Sequence, residues 1–162
     1  MEPVVADTSP LNYLILIEAV DILPRLFSRV LIPGGVQLEL SHPKAPRAVS
    51  SWIANPPAWL NIVKLAPVFA AEPHILHQGE RQAIALAAKE RAALLMDDSE
   101  GVSLARQAGL EVVGTLSVVI RAAQRGWVDL PDMFRRLRAT TFRSPIHLMA
   151  RLLEEDALRN KR

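Results

Sequence analysis

The sequence predicts an α/β fold with a central parallel sheet that helices cover on both faces. Short apolar segments of strand length alternate with helical segments up to about residue 125, which is typical of βαβ units and of a parallel sheet. These apolar segments are continuous rather than alternating with polar residues, as expected of strands buried on both faces. From Pro131 onward only helical patterns follow, so we expect a helical C-terminal extension on the same fold.

The predicted strands are short, apolar and rich in β-branched residues. The first, residues 3–6, ends at Asp7, and the second, residues 29–32, ends at the turn Pro33-Gly34-Gly35. Between the predicted elements, no linker is long enough to divide the chain. The remaining predicted strands are residues 60–65, 93–96 and 111–113.

Local signals mark where the predicted helices begin and end. Thr8-Ser9-Pro10 starts the first helix, because a hydroxyl caps a helix and proline suits its first turn. Gly109 and Gly126 end two later helices, since glycine tolerates the left-handed conformation that follows a helix. Ser144-Pro145 is predicted to cap the last helix. The predicted helices are residues 11–20, 22–27, 36–40, 48–54, 77–91, 99–108, 116–125, a short helix from 131, and 144–158.

The composition is that of a globular domain and excludes several kinds of site. The 162 residues are half hydrophobic and 22% charged, which suits a chain with a substantial core. We expect residues 1–130 to form the main domain and residues 131–162 to form its helical extension. The absence of cysteine excludes a disulfide, a thiol nucleophile and a cysteine-ligated metal. Without a signal-peptide pattern or an apolar segment of membrane-spanning length, we expect a soluble cytoplasmic protein that does not bind membranes.

Positive charge is concentrated near the C-terminus. Residues 121–162 contain ten Lys and Arg against five Asp and Glu, although the whole chain carries a net charge of only +2. Arg135, Arg136, Arg138 and Arg143 lie within nine residues, and guanidinium groups pair bidentately with phosphate oxygens. The cluster therefore predicts phosphate binding, with a solvated helix face as the alternative. The last predicted helix has an apolar face that we expect to pack on the body or on a partner protein.

Acidic residues lie where the predicted strands end. Asp7 follows the first strand, Asp97 and Asp98 follow a later one, and Glu39 and Glu80 lie in helices near strand ends. In a parallel α/β sheet, ligands bind beyond the carboxyl ends of the strands, where the strand order reverses. Carboxylates that converge there repel one another unless a divalent cation neutralises them, and oxygen ligands favour Mg²⁺ or Mn²⁺. These residues therefore predict a metal site.

Each acid also has a structural alternative. Asp7 would cap the helix that follows it, and the two glutamates would interact with a helix dipole or lie on a solvated face. Asp97 and Glu100 have the spacing of a capping box. That assignment gives Asp97 a structural task and leaves Asp98 for the metal.

Taken together, these motifs resemble the PIN-domain family of metal-dependent ribonucleases, which includes VapC-like toxins. The stretch "VVADTSPLNYL" resembles the first motif of the family, an apolar strand that ends in Asp followed by Thr or Ser. The stretch "LIPGGVQLEL" resembles the second motif, in which a proline turn leads to a helix carrying Glu. The stretch "GERQAIALAAKERAALLMDDSEGVSLARQAGLEVVGTL" is similar to a PIN subfamily catalogued as a domain of unknown function. The resemblance covers residues 4–128.

The resemblance implies a PIN-like, Rossmann-like three-layer sandwich with an acidic site. It places Asp7, Glu39, Glu80 and Asp98 on that site, with Asp7, Glu80 and Asp98 as the metal ligands. The implied activity is that of a Mg²⁺- or Mn²⁺-dependent endoribonuclease, the toxin of a type II toxin–antitoxin pair, which hydrolyses RNA phosphodiesters by metal-activated water. The implied partners are RNA, bound by the arginine cluster, and a small antitoxin protein.

Two details of the implied site stay open in the sequence. Thr8 or Ser9 falls where a hydroxyl commonly supports the metal ligands. Many PIN proteins have Thr-x-Asp after the fourth strand, where this chain has Met96-Asp97-Asp98, so that either aspartate is a candidate ligand. Adjacent residues of a strand point to opposite faces, and we favour Asp98 as the ligand, with Asp97 starting the helix.

Other functions explain the same residues less well. The first alternative is a catalytically weak or silent PIN-fold protein that acts as a regulatory or protein-binding module. The second is a receiver-type signalling domain, but its acid pair follows the first strand, and no Lys follows Val113 here. A Ser-His-Asp hydrolase is not favoured, because His42, His74, His77 and His147 have no Gly-x-Ser-x-Gly elbow beside them.

The density of apolar residues near the N-terminus predicts a homodimer. A helix that is apolar around most of its circumference needs cover on more than one side, and related PIN proteins commonly dimerise through early helices. The alternative is that all of these residues serve one core. The residues concerned are Leu11, Leu14, Ile15, Ile17, Ile22 and Leu26.

Overall fold

The computed structural model describes residues 1–66 and 77–162, and its elements follow the predicted alternation of strands and helices. His74 lies outside the described residues. Among the helices of these two ranges, none is both long and apolar enough to cross a membrane. The strands are β1 (Val4–Ala6), β2 (Val30–Pro33), β3 (Leu60–Val63), β4 (Ala93–Leu95) and β5 (Val112–Val113). The helices are α1 (Thr8–Leu16), α2 (Leu23–Leu26), α3 (Gly34–Leu40), α4 (Arg47–Ala54), α5 (Gln78–Glu90), α6 (Ser99–Gln107), α7 (Thr115–Gln124), α8 (Leu130–Arg138) and α9 (Ile146–Asn160).

The five strands form one parallel sheet in the order β3-β2-β1-β4-β5. The chain adds strands in one direction from β1 to β3, then returns to the other side of β1 with β4. The strand order therefore reverses between β1 and β4, which is where α/β sheets bind ligands. Asp7 follows β1 and Asp98 lies just beyond β4, so both fall at this point.

The two faces of the sheet bury two separate hydrophobic cores, because successive strand residues point to opposite faces. Val4 and Ala6 belong to the larger core, to which α1, α3, α4, α7 and α8 contribute. Val5 and Leu94 belong to the smaller core, which α5 and α6 cover with small residues such as Ala83. The result is the predicted three-layer α/β sandwich.

The first helix ends four residues earlier than predicted. Helix α1 stops at Leu16, and Glu18 takes a left-handed backbone conformation with φ of 59°. The Ala19 N–H then donates to the Leu14 carbonyl at 2.8 Å, which satisfies an acceptor at the end of the helix. The sequence did not predict this turn, because the residues on both sides of it are mostly apolar and no glycine marks the end of the helix.

The apolar residues that predicted a homodimer are buried within the single chain. The side chains of Leu11, Leu14 and Ile17 are fully buried, and Ile15 and Ile22 are almost so. Leu26 is half-buried and packs against the same core. The packing argument for a dimer is therefore wrong, because the turn after α1 lets two short elements share one core. The homodimer itself stays a prediction that rests on the resemblance.

The C-terminal residues form the predicted helical extension and pack on the larger core. Phe134 and Leu137 of α8 are fully buried, and Met149 of α9 is 6% exposed. Pro145, and not Ser144, occupies the N-cap position of α9, and no side chain caps that helix. The predicted Ser144 cap is therefore wrong, because the serine lies one residue too early in the chain. The domain boundary at residue 130 stays a prediction.

Helices α3 and α5 approach each other at two glycines. Gly34 and Gly35 were predicted in a turn, but they form the first turn of α3. The Gly35 N–H donates to the buried Gln82 Oε1 at 2.7 Å. A Cβ atom on Gly35 would lie 2.7 Å from the same Oε1 and 3.1 Å from the Cα of Gly79. The close approach of these helices therefore requires glycine at position 35.

We expect Gly35→Ala to lower the free energy of unfolding by about 1–2 kcal/mol. Overpacking at the contact costs about 1–3 kcal/mol, while alanine recovers at most about 1 kcal/mol of helix propensity. Gly34→Ala is the matched control, because no described heavy atom lies within 4 Å of its added Cβ. Urea unfolding measures both, and equal stability of the two variants would contradict the close contact.

Candidate functional site

Asp7 lies buried at the carboxyl end of β1. Its backbone N–H donates to the Leu95 carbonyl of β4 at 2.9 Å, and the residue is 3% exposed. Asp7 occupies the N-cap position of α1, but its side chain makes no capping hydrogen bond. Among the described residues its Oδ1 atom has no hydrogen-bond partner. The structural alternative for Asp7, a helix cap, therefore does not account for its carboxylate.

Burial raises the pKa of Asp7 to about 7, and other carboxylates add to this effect. The Thr8 N–H lowers this pKa, while Glu80, Glu39 and Asp98 raise it through charge repulsion. An interaction of this kind requires the four acids to lie close together. The structure thus brings together four of the five acids that were predicted for the site, and Asp97 is not among those that act on Asp7.

Glu39 links the beginnings of two helices. The Thr8 hydroxyl donates to its Oε2 at 2.5 Å, and the Gly79 N–H donates to its Oε1 at 3.2 Å. A Cβ on Gly79 would lie 2.4 Å from that Oε1, so glycine makes room for the carboxylate. Of the two candidate hydroxyls, Thr8 therefore supports an acid of the site, while Ser9 is exposed on the first turn of α1.

Glu80 lies at the start of α5, where a backbone donor orients it. Its Oε2 accepts a hydrogen bond from the His77 N–H at 3.2 Å. Burial raises the pKa of Glu80, the His77 N–H lowers it, and the charge of Asp98 raises it again. Glu80 therefore combines a structural role with a place in the acidic cluster.

The two aspartates after β4 have roles that differ from those assigned by sequence. Asp98, and not Asp97, is the N-cap of α6, and its Oδ2 accepts from the Gly101 N–H at 2.9 Å. The predicted capping box of Asp97 and Glu100 is therefore wrong. Asp97 instead accepts from the Thr115 N–H at 2.9 Å and from the Thr115 hydroxyl at 2.5 Å. Asp97 thus ties the end of β4 to the start of α7, and Asp98 faces the other acids.

The donor set of this site fits a hard divalent cation. Asp7 has a buried oxygen without a partner, and three further carboxylates act on it. Oxygen ligands of this kind suit Mg²⁺ or Mn²⁺. In residues 1–66 and 77–162, however, no three His, Asp or Glu side chains are already arranged as a ligand group. Binding of a cation would therefore require the carboxylates to turn toward it.

The predicted phosphate-binding arginines occupy different environments. Arg135 and Arg136 both pair with Asp132, and Arg136 also pairs with Glu18 at 3.2 Å. The hydrogen bond from Arg135 holds the pKa of Asp132 below its ordinary value. Arg138 donates to the Phe134 carbonyl at 3.3 Å, and the fourth arginine of the cluster is exposed. Contacts of these arginines with RNA stay a prediction.

Sequence reasoning missed three residues that hold the site together. Thr115 is fully buried and binds Asp97. It is the threonine of the Gly-Thr-Leu motif, and its place in that motif could have identified it from the sequence. Gly79 admits Glu39, and the Gly-Glu pair in the quoted stretch pointed to it. Gln82 carried no signal, because a glutamine on a helix is ordinarily solvated.

Comparisons with known proteins show the family of this chain and agree with its fold. The family model DUF3368, described as a PIN domain, matches residues 3–157. A PilT N-terminus domain protein from the hyperthermophilic archaeon Sulfolobus solfataricus has a similar structure, with a TM-score of 0.50 and 14% sequence identity. The match covers 72% of this chain and 89% of that protein, and at this identity it supports the fold alone. No curated protein matches the sequence significantly.

We expect Asp97→Ala to destabilise the protein, since it leaves the buried Thr115 N–H and hydroxyl without an acceptor. The expected loss is about 1–3 kcal/mol, measured as a lower urea midpoint with an unchanged slope. Asp98→Asn is the control, because asparagine also caps helices well. If the two variants were equally stable, the structural role of Asp97 would be wrong.

We also expect Asp7→Asn to raise thermal stability in metal-free buffer, and more so at pH 8 than at pH 5. The folded state holds the Asp7 proton up to about pH 7, whereas the unfolded chain releases it near pH 4. Stability is therefore lost as the pH rises between these values, and asparagine removes that loss. At pH 8 we expect a gain on the order of 5 °C.

Melting curves in EDTA test this expectation. Asp21→Asn is the control, because it removes the same charge from an exposed position. A gain in the Asp7 variant that did not depend on pH would contradict the raised pKa.

Proposed function

Because the chain belongs to the PIN-domain family, whose members are typically nucleases that use divalent metals, we propose that it is a Mg²⁺- or Mn²⁺-dependent endoribonuclease. The observation that carries this proposal is the buried carboxylate of Asp7, with an unpartnered oxygen, at the point where the strand order reverses. Three other carboxylates act on it. A helix-capping role does not explain the unpartnered oxygen of Asp7, and a bound cation would give that oxygen a partner.

In this proposal Asp7, Glu80 and Asp98 hold the cation. Glu39 accepts a hydrogen bond from the hydroxyl of Thr8, the residue next to Asp7, and so helps to position the end of β1. A bound Mg²⁺ or Mn²⁺ would polarise the phosphodiester and activate water for hydrolysis. The chain supplies the orientation: backbone N–H groups fix one oxygen of Glu80 and one of Asp98. These bonds limit the rotation of both carboxylates and keep them beside the end of β1.

The raised pKa of Asp7 makes cation binding sensitive to pH. Near pH 7 the carboxylate is only partly ionised without metal, and a carboxylate must lose its proton to bind a cation. A cation and a proton therefore compete for Asp7. Metal affinity should rise as the pH rises through about 7.

The finer parts of the proposal concern the cell and the partners. We propose that the enzyme is a cytoplasmic toxin of a type II pair, that a small antitoxin protein inhibits it, and that two copies form a homodimer. The resemblance of its motifs to those of VapC-like toxins supports all three. The neighbouring reading frame provides a direct test, since a small protein encoded there would be the candidate antitoxin.

One observation favours a second function. Among the described residues, no three acidic or histidine side chains form a group that could hold a metal ion, as expected of a PIN-fold protein that is catalytically weak or silent and acts through protein contacts. This alternative predicts no cleavage with any divalent cation. The four acids in one cluster favour the nuclease, because a chain without metal chemistry gains nothing from their repulsion.

We expect the wild-type protein to cleave single-stranded RNA with Mg²⁺ or Mn²⁺ and to lose this activity in EDTA. Glu80→Gln and Asp98→Asn should each reduce the rate on the order of 100-fold or more, since even the outer partners of metal ligands contribute 10–100-fold. Both substitutions preserve the helix starts, because glutamine and asparagine replace these acids well there. Circular dichroism should confirm that both variants are folded.

Asp21→Asn is the control for charge and should retain wild-type cleavage. RNA cleavage that survives in EDTA, or that proceeds at the wild-type rate in both site variants, would contradict the metal-dependent mechanism. Wild-type protein that is folded but inactive with every cation would overturn the nuclease proposal and support the binding module.

A further inference from the structure

A cavity lies between the end of α8 and the first turns of α9, in the part of the chain that the nuclease mechanism does not use. Its volume is about 520 Å³. Most of its wall is apolar, and Ile146 at its edge is 81% exposed. The apolar lining residues are Phe142, Ile146, Met149, Ala150 and Leu153.

Two arginines complete the lining of this cavity, Arg138 and Arg143. Within residues 1–66 and 77–162, neither guanidinium forms an ion pair. This distinguishes them from Arg135 and Arg136 on the same helix, which pair with Asp132. The bond from its Nε to the Phe134 carbonyl positions Arg138, and its other donors are left for a ligand. The cavity therefore combines an apolar interior with an uncompensated positive rim.

The cavity wall also contains a polar atom without a partner. The Ser144 hydroxyl is buried and makes no hydrogen bond to the described residues. A buried hydroxyl without a partner costs free energy, and if the Ser144 side chain turns toward the cavity, a ligand with a carbonyl or N–H group would satisfy it. Peptide backbones carry such groups at every residue.

The chemistry of the cavity suits a protein segment better than RNA. A nucleobase has several polar atoms on its edge, and apart from the two arginines at the rim and Ser144 this cavity is lined by apolar side chains. Burying polar groups without partners is costly, so an unpaired base gains little there. An apolar side chain, by contrast, is stabilised by burial in such a wall. Carboxylates on neighbouring residues would then pair with the two arginines.

We propose that this cavity binds an acidic segment of a partner protein. One apolar side chain of the segment fills the space between Phe142 and Ala150, and flanking Asp or Glu side chains pair with Arg138 and Arg143. The proposal deepens the partner part of the proposed function, and it does not require the acidic site to be active. It also removes these two arginines from the predicted RNA contacts.

The cavity is connected to the helix that begins at the acidic site. The Phe142 ring packs edge-on against Tyr13 of α1, with centroids 5.1 Å apart, and the Tyr13 hydroxyl lies 3.1 Å from the Thr141 hydroxyl. Helix α1 begins at Thr8, which binds Glu39. A partner in the cavity would therefore contact Phe142, which packs on the helix that supports the acids, while leaving the acids themselves open.

Fluorescence anisotropy with labelled peptides tests the proposal. The probe is a hexapeptide of sequence Asp-Asp-Leu-Phe-Glu-Glu, added to the 162-residue chain in EDTA so that cleavage has no influence. Two controls keep one feature each: Lys-Lys-Leu-Phe-Lys-Lys keeps the apolar residues, and Asp-Asp-Ser-Ser-Glu-Glu keeps the charge. We expect the acidic apolar peptide to bind at least tenfold more tightly than either control, and more weakly at high salt.

Variants then locate the peptide on the protein. Arg138→Gln and Arg143→Gln should each weaken binding several-fold, and Ala150→Trp should abolish it by filling the cavity. Arg151→Gln is the matched control, since it removes the same charge from α9 at a residue that does not line the cavity. It should bind the peptide within about twofold of wild type, by the weak contribution of exposed charges.

Several results would overturn the proposal. They are the absence of peptide binding at millimolar concentration, equal binding of the lysine peptide, or binding that Ala150→Trp does not affect. A labelled single-stranded RNA that loses affinity in the Arg138 and Arg143 variants, while the peptide does not, would return the arginines to the RNA. Because Asp98→Asn should bind the peptide normally, failure of this proposal is distinguishable from failure of the nuclease proposal.

Discussion

The carboxylate of Asp7 sets the chemical character of one end of this molecule. It is buried between the carboxyl ends of β1 and β4, where Oδ1 has no partner among the described residues. Removing a charge from water without a partner is expensive, and three other carboxylates increase that cost. The folded chain meets this constraint by holding a proton near neutral pH, and the proposed cation would meet it with the carboxylate ionised.

The surrounding acids are oriented by the protein before any cation binds. Helix α5 supplies the Gly79 N–H to Glu39, and α6 supplies the Gly101 N–H to Asp98. The first N–H groups of a helix have no partner within the helix, so each bond satisfies a donor that the fold leaves free. Each bond holds one oxygen of its carboxylate without neutralising the charge. The negative charge of the cluster therefore remains available for a cation, although its members must still turn to share one.

The C-terminal extension separates its positive charges into two groups. Asp132 lies three and four residues before Arg135 and Arg136, and residues with this spacing meet on one side of a helix. Their charges are largely compensated within α8. Arg138 and Arg143 lie beyond the reach of Asp132 and border an apolar cavity instead. The number of arginines in the C-terminal extension therefore overstates the uncompensated positive charge on its surface, because Arg135 and Arg136 are paired with Asp132.

The sequence by itself determined the fold class, the order of the strands along the chain and the acids that follow them. These features depend on local patterns: apolar strand segments alternate with helices, and an acid that follows a strand of a parallel sheet must lie at its carboxyl end. Asp7 and Asp98 were therefore placed correctly beside the point where the strand order reverses.

Only the tertiary structure decided which contacts these residues make. The structural role of Asp97 depends on Thr115, which lies 18 residues further along the chain at the start of α7. The burial of the apolar residues of α1 and α2 within one chain depends on a left-handed turn at Glu18. The cavity beside α9 depends on how α9 packs against the end of α8 and the residues between them. Each of these results comes from packing between separate elements, and local sequence patterns carry no information on such packing.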